Sequence, residues 1–210
     1  MIYERVEAEA PICQGDLFVH VPRVDLSFGK LLLIDEDTEQ PKEAAWDELN
    51  PRDRVAAVLP IISVAGVVVT QNCDAARGHY ICLAQIDTFL EATGRTAPAT
   101  PKKWKNLITE NNRSSPRFFY LPADAEFGFA EPMVADFRII LRVPRADLAT
   151  LRTNRRVGRL NTVATDHFRE NLSYFFRRYA FNEWYPLTRD QFQAYVADSG
   201  ETVDPYPWQK

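Results

Sequence analysis

The sequence predicts an α+β fold in which a small curled β-barrel carries appended helices, including a long arginine-rich helix near the C-terminus. Short apolar segments fill the first half of the chain without helical patterns between them, which predicts strands. The last third instead places large apolar residues at helical spacing. The 210 residues are 46% hydrophobic and 26% charged, an ordinary balance for a globular protein that disfavours extended disorder.

The strands of the first half are predicted from short apolar runs. Residues 15–21 alternate apolar and polar side chains, which is typical of a half-buried strand. Residues 66–71 are nearly all apolar and β-branched, which predicts a strand buried on both faces. A turn is predicted over residues 74–79, because Gly78 lies within it. The five predicted strands are residues 15–21, 31–34, 55–59, 66–71 and 80–86.

The second half is predicted to mix helices and strands. Thr100 and Pro101 begin a helix, because threonine caps helices well and proline fits the first helical position. A break follows at residues 111–116. Thr165 is predicted to cap the long helix. Its apolar face has helical spacing and consists of Phe168, Leu172, Phe175 and Tyr179. Further helices are predicted from Pro144 and Arg189, and further strands at residues 117–121, 136–143 and 156–160.

Composition predicts two regions. Residues 1–92 would form the barrel, with an acidic insertion at about residues 35–54. Residues 93–210 would form a mixed strand and helix region packed on the barrel. The boundary is placed where Gly94 and Pro98 indicate a loop.

The sequence argues against several classes of protein. No apolar run reaches the roughly 18–20 residues that a membrane-spanning helix needs, so we predict no membrane partner. Three cysteines without CxxC spacing disfavour a disulfide framework, which predicts a reducing, cytoplasmic location. The sequence has no Walker A, GxGxxG, HExxH or GxSxG motif, and we predict no cofactor and no standard metal site.

Charge is distributed unevenly along the chain. The formal net charge is −4, from 25 basic and 29 acidic residues. Residues 1–60 contain 6 basic and 13 acidic residues, whereas residues 138–189 contain 11 arginines and 4 acidic residues. Arginine pairs with phosphate or carboxylate through a planar fork. The arginine-rich segment is therefore predicted either to bind an anionic partner or to pair with the acidic first sixty residues.

Three predicted strands occur in an order that resembles the MazF/PemK-type toxin barrel. Residues 15–18 open with Gly-Asp and an aromatic residue, residues 66–72 form a buried strand ending near Gln-Asn, and residues 80–86 are mostly small and apolar. The resemblance covers about residues 14–90 and implies a toxin-like module in a bacterial defence or toxin–antitoxin-like system. The pattern V-x-(S/T)-Q-x-C-D, which ends here at Asp74, is similar to one in a group of uncharacterised bacterial proteins.

The chain departs from the toxin family at the catalytic positions. The resemblance implies an arginine just before the buried strand, where residues 64–66 are Val-Ala-Gly. It also implies a serine or threonine after the last matched strand, a place that falls here at or near Ile86 or Asp87, with Thr88 adjacent. Such an arginine would stabilise phosphate charge in the transition state, and its loss predicts a barrel without ribonuclease activity.

Residues 73–82 hold the side chains best suited to chemistry. As an enzyme site, Cys73 would be the nucleophile, His79 its base and Asp74 an orienting group. As a metal site, Cys73, His79 and Cys82 would supply three zinc ligands, although their spacing is not a standard one. In a purely structural interpretation, the cysteines are small strand hydrophobes and Asp74 caps a turn.

Two basic groups are candidate binding surfaces. A tryptophan beside lysines can stack on a base while the lysines contact phosphate, or it can pack inward beneath a surface helix. The arginines of the last third form the second group. The candidate binding residues are Lys102, Lys103, Trp104, Lys105, Arg155, Arg156, Arg159, Arg169, Arg177 and Arg178.

These observations lead to three functional hypotheses. In the first, the chain is a non-catalytic or degenerate toxin-like module that binds RNA, single-stranded DNA or a partner protein through an arginine-rich face. In the second, it is an active endoribonuclease or a hydrolase centred on Cys73. In the third, it is a structural subunit whose acidic first sixty residues bind a basic protein.

Overall fold

The computed structural model describes residues 1–35, 40–50, 55–114, 117–177 and 188–200. Ten strands lie in these ranges: β1 (Tyr3–Glu4), β2 (Asp16–Val24), β3 (Leu31–Ile34), β4 (Pro41–Ala44), β5 (Ala56–Val58), β6 (Ile61–Val68), β7 (Tyr80–Thr88), β8 (Phe118–Leu121), β9 (Met133–Pro144) and β10 (Arg156–Leu160). The α-helices are α1 (Asn72–Arg77), α2 (Phe89–Thr93), α3 (Pro101–Ser114), α4 (Arg145–Arg155), α5 (Thr162–Phe176) and α6 (Arg189–Ser199).

Seven strands form one antiparallel sheet in the order β1-β10-β2-β6-β7-β9-β8. A second sheet has the order β4-β3-β5. The α+β prediction is confirmed. The predicted small curled barrel is not seen as a closed barrel among the described strands, since β1 and β8 stay at opposite edges of the large sheet.

The large sheet continues across the predicted domain boundary after residue 92. Strands β8, β9 and β10 all come from the second predicted region. Of these, β9 pairs with β7 and β10 pairs with β1 and β2 of the first region, while β8 pairs with β9. The chain divides into two compact units, residues 1–175 and residues 176–210. The first unit contains both sheets and every site discussed below.

Apolar side chains cover both faces of the large sheet. Consecutive residues of a strand point to opposite faces, and the adjacent Val67 and Val68 are both fully buried in different clusters. Phe168 of α5 packs in the cluster on one face. Leu148 of α4 packs in the cluster on the other face. The prediction of a central strand buried on both faces is confirmed for residues 66–68, whereas the strand begins at Ile61 with exposed residues and ends at Val68, before the predicted end at residue 71.

Three predicted elements differ in the structure. The turn at residues 74–79 is largely the short helix α1, and α3 continues to Ser114 through the predicted break. Helix α5 begins earlier than predicted because Asn161 caps it, accepting a hydrogen bond from the Ala164 amide at 2.9 Å. The predicted cap, Thr165, is buried inside the helix and donates to the Leu160 carbonyl at 2.9 Å.

The predicted apolar face of the long helix is confirmed where the structure describes it. Phe168 is buried, and Leu172 and Phe175 pack against the same cluster. Tyr179, the last member of that face, lies outside the described residues. The helix is less rich in arginine than predicted, because Arg169 is the only arginine within its bounds.

Candidate functional site

The first arginine cluster is built around Asp16, which begins β2 and is completely buried. Its carboxylate accepts hydrogen bonds from Arg159 Nε at 2.5 Å, Arg156 Nη1 at 3.1 Å and the Cys13 amide at 3.0 Å. Strand β10 brings both arginines here because it lies next to β2, with Arg159 opposite Asp16. We call Asp16, Arg156 and Arg159 the Asp16 centre.

The Asp16 centre also anchors the N-terminal segment. Arg156 donates to four carbonyl oxygens within residues 7–11 at 2.6–3.2 Å, and only 2% of its side chain is exposed. Burial lowers the pKa of Arg159, but the hydrogen bond and charge of Asp16 raise that pKa above its ordinary value. Arg152 pairs nearby with Glu9. Arg156, a predicted binding residue, is therefore held within the fold by internal partners.

A small polar cleft of about 190 Å³ opens beside the Asp16 centre. Gln14 is its most buried amide: Nε2 donates to the Val69 carbonyl and Oε1 accepts from Arg169 Nε, both at 2.8 Å. Arg169 also pairs with Asp166 at 3.2 Å. We call this space the Gln14 cleft. Its lining residues are Glu4, Cys13, Gln14, Asn72, Arg159, Leu160, Thr162, Thr165, Asp166 and Arg169.

The loop that leads into β2 needs glycine. Gly15 has a φ of +89°, a conformation that side-chain-bearing residues rarely adopt. Its amide donates to the Val68 carbonyl at 2.9 Å, and its carbonyl accepts from the Leu160 amide at 3.0 Å. Gly15 therefore ties the ends of β6 and β10 together between Gln14 and Asp16. This explains in physical terms why Gly-Asp opens the strand.

A second, exposed arginine cluster lies where α1, β7, β9 and α4 meet. The Arg142 guanidinium lies 3.7 Å from the centroid of the Tyr80 ring, and Tyr80 is 46% exposed. The Arg145 amide donates to the His79 carbonyl at 2.9 Å, and its Nη1 donates to the Ala76 carbonyl at 3.4 Å. Arg77 ends α1. We call Arg77, His79, Tyr80, Arg142 and Arg145 the arginine corner.

The proposed chemistry at Cys73 is not assembled in the structure. Cys73, Asp74 and His79 are all exposed, and no hydrogen bond links any two of them within the described ranges. The thiol of Cys82 is only partly buried. Among the described residues, no group of three histidine, cysteine or acidic side chains could hold a metal ion. Cys73, His79 and Cys82 therefore do not form such a group in the described structure.

The lysine–tryptophan group splits between surface and core. Lys102, Lys103 and Lys105 are exposed on α3, whereas Trp104 packs against a buried cluster, 5.9 Å from the ring of Phe89. Of the two alternatives given for Trp104, the structure therefore shows inward packing beneath a surface helix. Arg155 is exposed at the end of α4 and Arg177 just after α5. Arg178 lies outside the described residues.

The arginine corner was not singled out from the sequence. In the sequence, Arg142 and Arg145 are indicated only as members of the arginine-rich segment, and Tyr80 only as the first residue of a strand. The missing information is the register of β7 and β9, which sets Tyr80 opposite Pro144 and Cys82 opposite Arg142. Short strands with similar apolar content do not reveal which residues face each other.

No family model matches the chain, and no curated protein sequence matches it. No helix of the described ranges has both the length and the hydrophobicity needed to cross a membrane. A function must therefore be argued from the geometry and charge of the site itself.

Proposed function

We propose that the protein binds single-stranded nucleic acid, without cleaving it, through the arginine corner. The observation that carries this proposal is the stacked pair of Arg142 on Tyr80. Proteins that bind single strands combine cationic groups for the phosphates with aromatic rings for the bases, and Arg adds cation–π stacking. An exposed Arg–Tyr stack beside two further arginines supplies both kinds of contact.

The charges of the arginine corner support this proposal. Arg77, Arg142 and Arg145 form no ion pair with any carboxylate in the described part of the chain, whereas Arg152, Arg156, Arg159 and Arg169 all do. A guanidinium that lacks an internal carboxylate partner keeps its positive charge, and the donors not used by backbone carbonyls, for a ligand. The corner is thus cationic locally although the whole chain carries −4.

The absence of cleavage is proposed on two grounds. The toxin resemblance implies an arginine just before the buried strand, and residues 64–66 of β6 are Val-Ala-Gly. Cys73 and His79 make no hydrogen bond to each other in the described structure. By the same resemblance, we propose a place in a bacterial defence or toxin–antitoxin-like system. The hypotheses of a Cys73 hydrolase and of an acidic assembly subunit stay predictions.

Binding of fluorescently labelled twelve-nucleotide RNA and DNA strands across a salt series tests this proposal. Affinity should fall as salt rises, and the combined change Arg142→Ala and Arg145→Ala should weaken binding at least tenfold. It should also reduce the slope of log affinity against log salt by about 1.4, since each single-strand phosphate contact contributes about 0.7. Tyr80→Ala should weaken binding, whereas Tyr80→Phe, which keeps the ring, should not.

Arg95→Ala is the matched control, because it removes one half-exposed arginine that is paired with Glu110 outside the corner. It should leave the affinity and the salt slope close to those of the natural chain. A flat salt response, or an equal loss in Arg95→Ala and Arg142→Ala, would overturn the proposal. Cleavage products in the same samples would overturn its non-catalytic form.

A further inference from the structure

The Gln14 cleft has the size of a base rather than of a nucleotide. Its volume is about 190 Å³, below the roughly 300–1,000 Å³ of common small-molecule sites. It is a constructed site, since Gln14 is 5% exposed and Asp16, which holds Arg159 in place, is completely buried. Flat ligands of one or two rings fit such a space.

Hydrogen-bond donors remain open at the Gln14 cleft. Arg159 uses Nε for Asp16 and Nη2 for the Pro11 carbonyl, so Nη1 has no partner among residues that the structure describes. Arg169 uses Nε for Gln14 and Nη1 for Asp166, so Nη2 is likewise open within the described ranges. Two guanidinium groups with fixed orientation can donate to adjacent acceptors of one ligand.

The formal charge of the lining favours a neutral ligand. Arg159 and Arg169 are balanced by Glu4 and Asp166, all of which line the cleft. A phosphate would bring negative charge beside two carboxylates, which is unfavourable. A neutral ligand that accepts hydrogen bonds from the two arginines and donates hydrogen bonds to the two carboxylates suits this lining.

We infer that the Gln14 cleft binds a guanine base of the single strand held at the arginine corner, an inference that rests on the proposed function. Guanine O6 and N7 are the acceptors that arginine recognises most often, and its N1–H and N2–H groups can donate to a carboxylate. Adenine is usually read by a free Asn or Gln amide. Here the polar atoms of Gln14 are already engaged, and Asn72 Oδ1 already accepts from the Gln14 backbone amide at 2.8 Å.

The cleft and the corner are close enough for one strand to reach both. Asn72 lines the cleft and begins α1, while Arg77 ends the same helix and belongs to the corner. Six helical residues at 1.5 Å per residue span about 9 Å. The corner would supply affinity through phosphates, and the cleft would supply base preference.

Four labelled octanucleotides test the inference: U8 and the same strand with one central G, A or C. The natural chain should bind the G-containing strand about tenfold more tightly than U8, and the A- and C-containing strands like U8. Asp166→Asn should abolish this preference, so that the G-containing strand binds no more tightly than the A- and C-containing strands. Its carboxylate pair with Arg169 is exposed, so the variant should fold, and circular dichroism checks this. Arg169→Gln is the second variant and should also lose the preference.

The outcomes separate the inference from the proposed function. Arg142→Ala should weaken all four strands alike and keep the preference for G. Equal affinity for all four strands, or a preference that survives Asp166→Asn, overturns the guanine inference and leaves the proposed function standing. If no strand binds, the proposed function fails. In that case, a titration with free guanosine tests whether the Gln14 cleft binds guanine by itself. NMR shift changes at residues 159–169 would support guanine binding in the cleft, and their absence would overturn it.

Discussion

The Asp16 centre and the arginine corner use the same side chain in opposite ways. In the Asp16 centre, Arg156 is 2% exposed and donates to a buried carboxylate and four carbonyl oxygens. In the arginine corner, Arg142 faces solvent and stacks on a tyrosine that is 46% exposed. The number of internal partners distinguishes a structural arginine from one that is free to bind a ligand.

The comparison also explains why counting charges along the chain gave two alternatives. The acidic first sixty residues do pair with part of the arginine-rich segment, through Asp16 and Glu9. The same segment also contributes Arg142 and Arg145, which have no ion pair in the described ranges. The two interpretations therefore apply to different arginines of one segment.

The largest effect is expected from Asp16→Ala. The substitution leaves Arg156 and Arg159 without their carboxylate in a buried site, and breaking a buried ion pair from one side costs about 3–5 kcal/mol. The free energy of unfolding, measured by urea denaturation, should fall by about that amount. Asp166→Asn is the control, since the Asp166–Arg169 pair is 65% and 46% exposed and should contribute no more than about 1 kcal/mol. Equal losses in both variants would contradict the distinction between buried and exposed arginine pairs.

The sequence predicted the helices and strands better than it predicted which distant residues contact each other. The strands at residues 31–34 and 80–86 are apolar runs and appear as β3 and β7. The two-residue strand β1 is too short to show any period, and α1 was missed because Gly78 indicated a turn. Asp16 and Arg159 lie 143 residues apart. Their pairing depends on β10 entering the sheet beside β2, which local pattern does not determine.

Gly158→Ala tests how tightly β10 holds the Asp16 centre. Gly158 lies between Arg156 and Arg159, where the pairing of β10 with β2 shifts register. An added Cβ would lie 2.4 Å from the ring of Phe127, which is 2% exposed. Overpacking of this kind should lower the free energy of unfolding by about 1–3 kcal/mol.

Gly29→Ala is the control for that substitution, because nothing lies within 4 Å of the added atom. Its free energy of unfolding should match that of the natural chain within about 0.5 kcal/mol. If Gly158→Ala is as stable as Gly29→Ala, the Phe127 ring moves aside and β10 is less constrained than the contacts indicate.

The smallest expected effect on the free energy of unfolding comes from a substitution in the arginine corner. This substitution should stabilise the protein, whereas Asp16→Ala and Gly158→Ala should destabilise it. Arg145 is the first residue of α4, and its N-cap, Pro144, makes no side-chain capping bond. A cation at a helix N-terminus is unfavourable because it opposes the helix dipole. Arg145→Gln should therefore raise the free energy of unfolding by about 0.3–1 kcal/mol while weakening RNA binding.

Arg155→Gln is the matched control at the other end of α4, where a cation stabilises the helix, so it should lower stability by a similar amount. If both changes shift stability in the same direction, the dipole does not explain the cost of Arg145. If they differ as expected, a cation is kept at an unfavourable position, which supports a role for Arg145 in binding an anion.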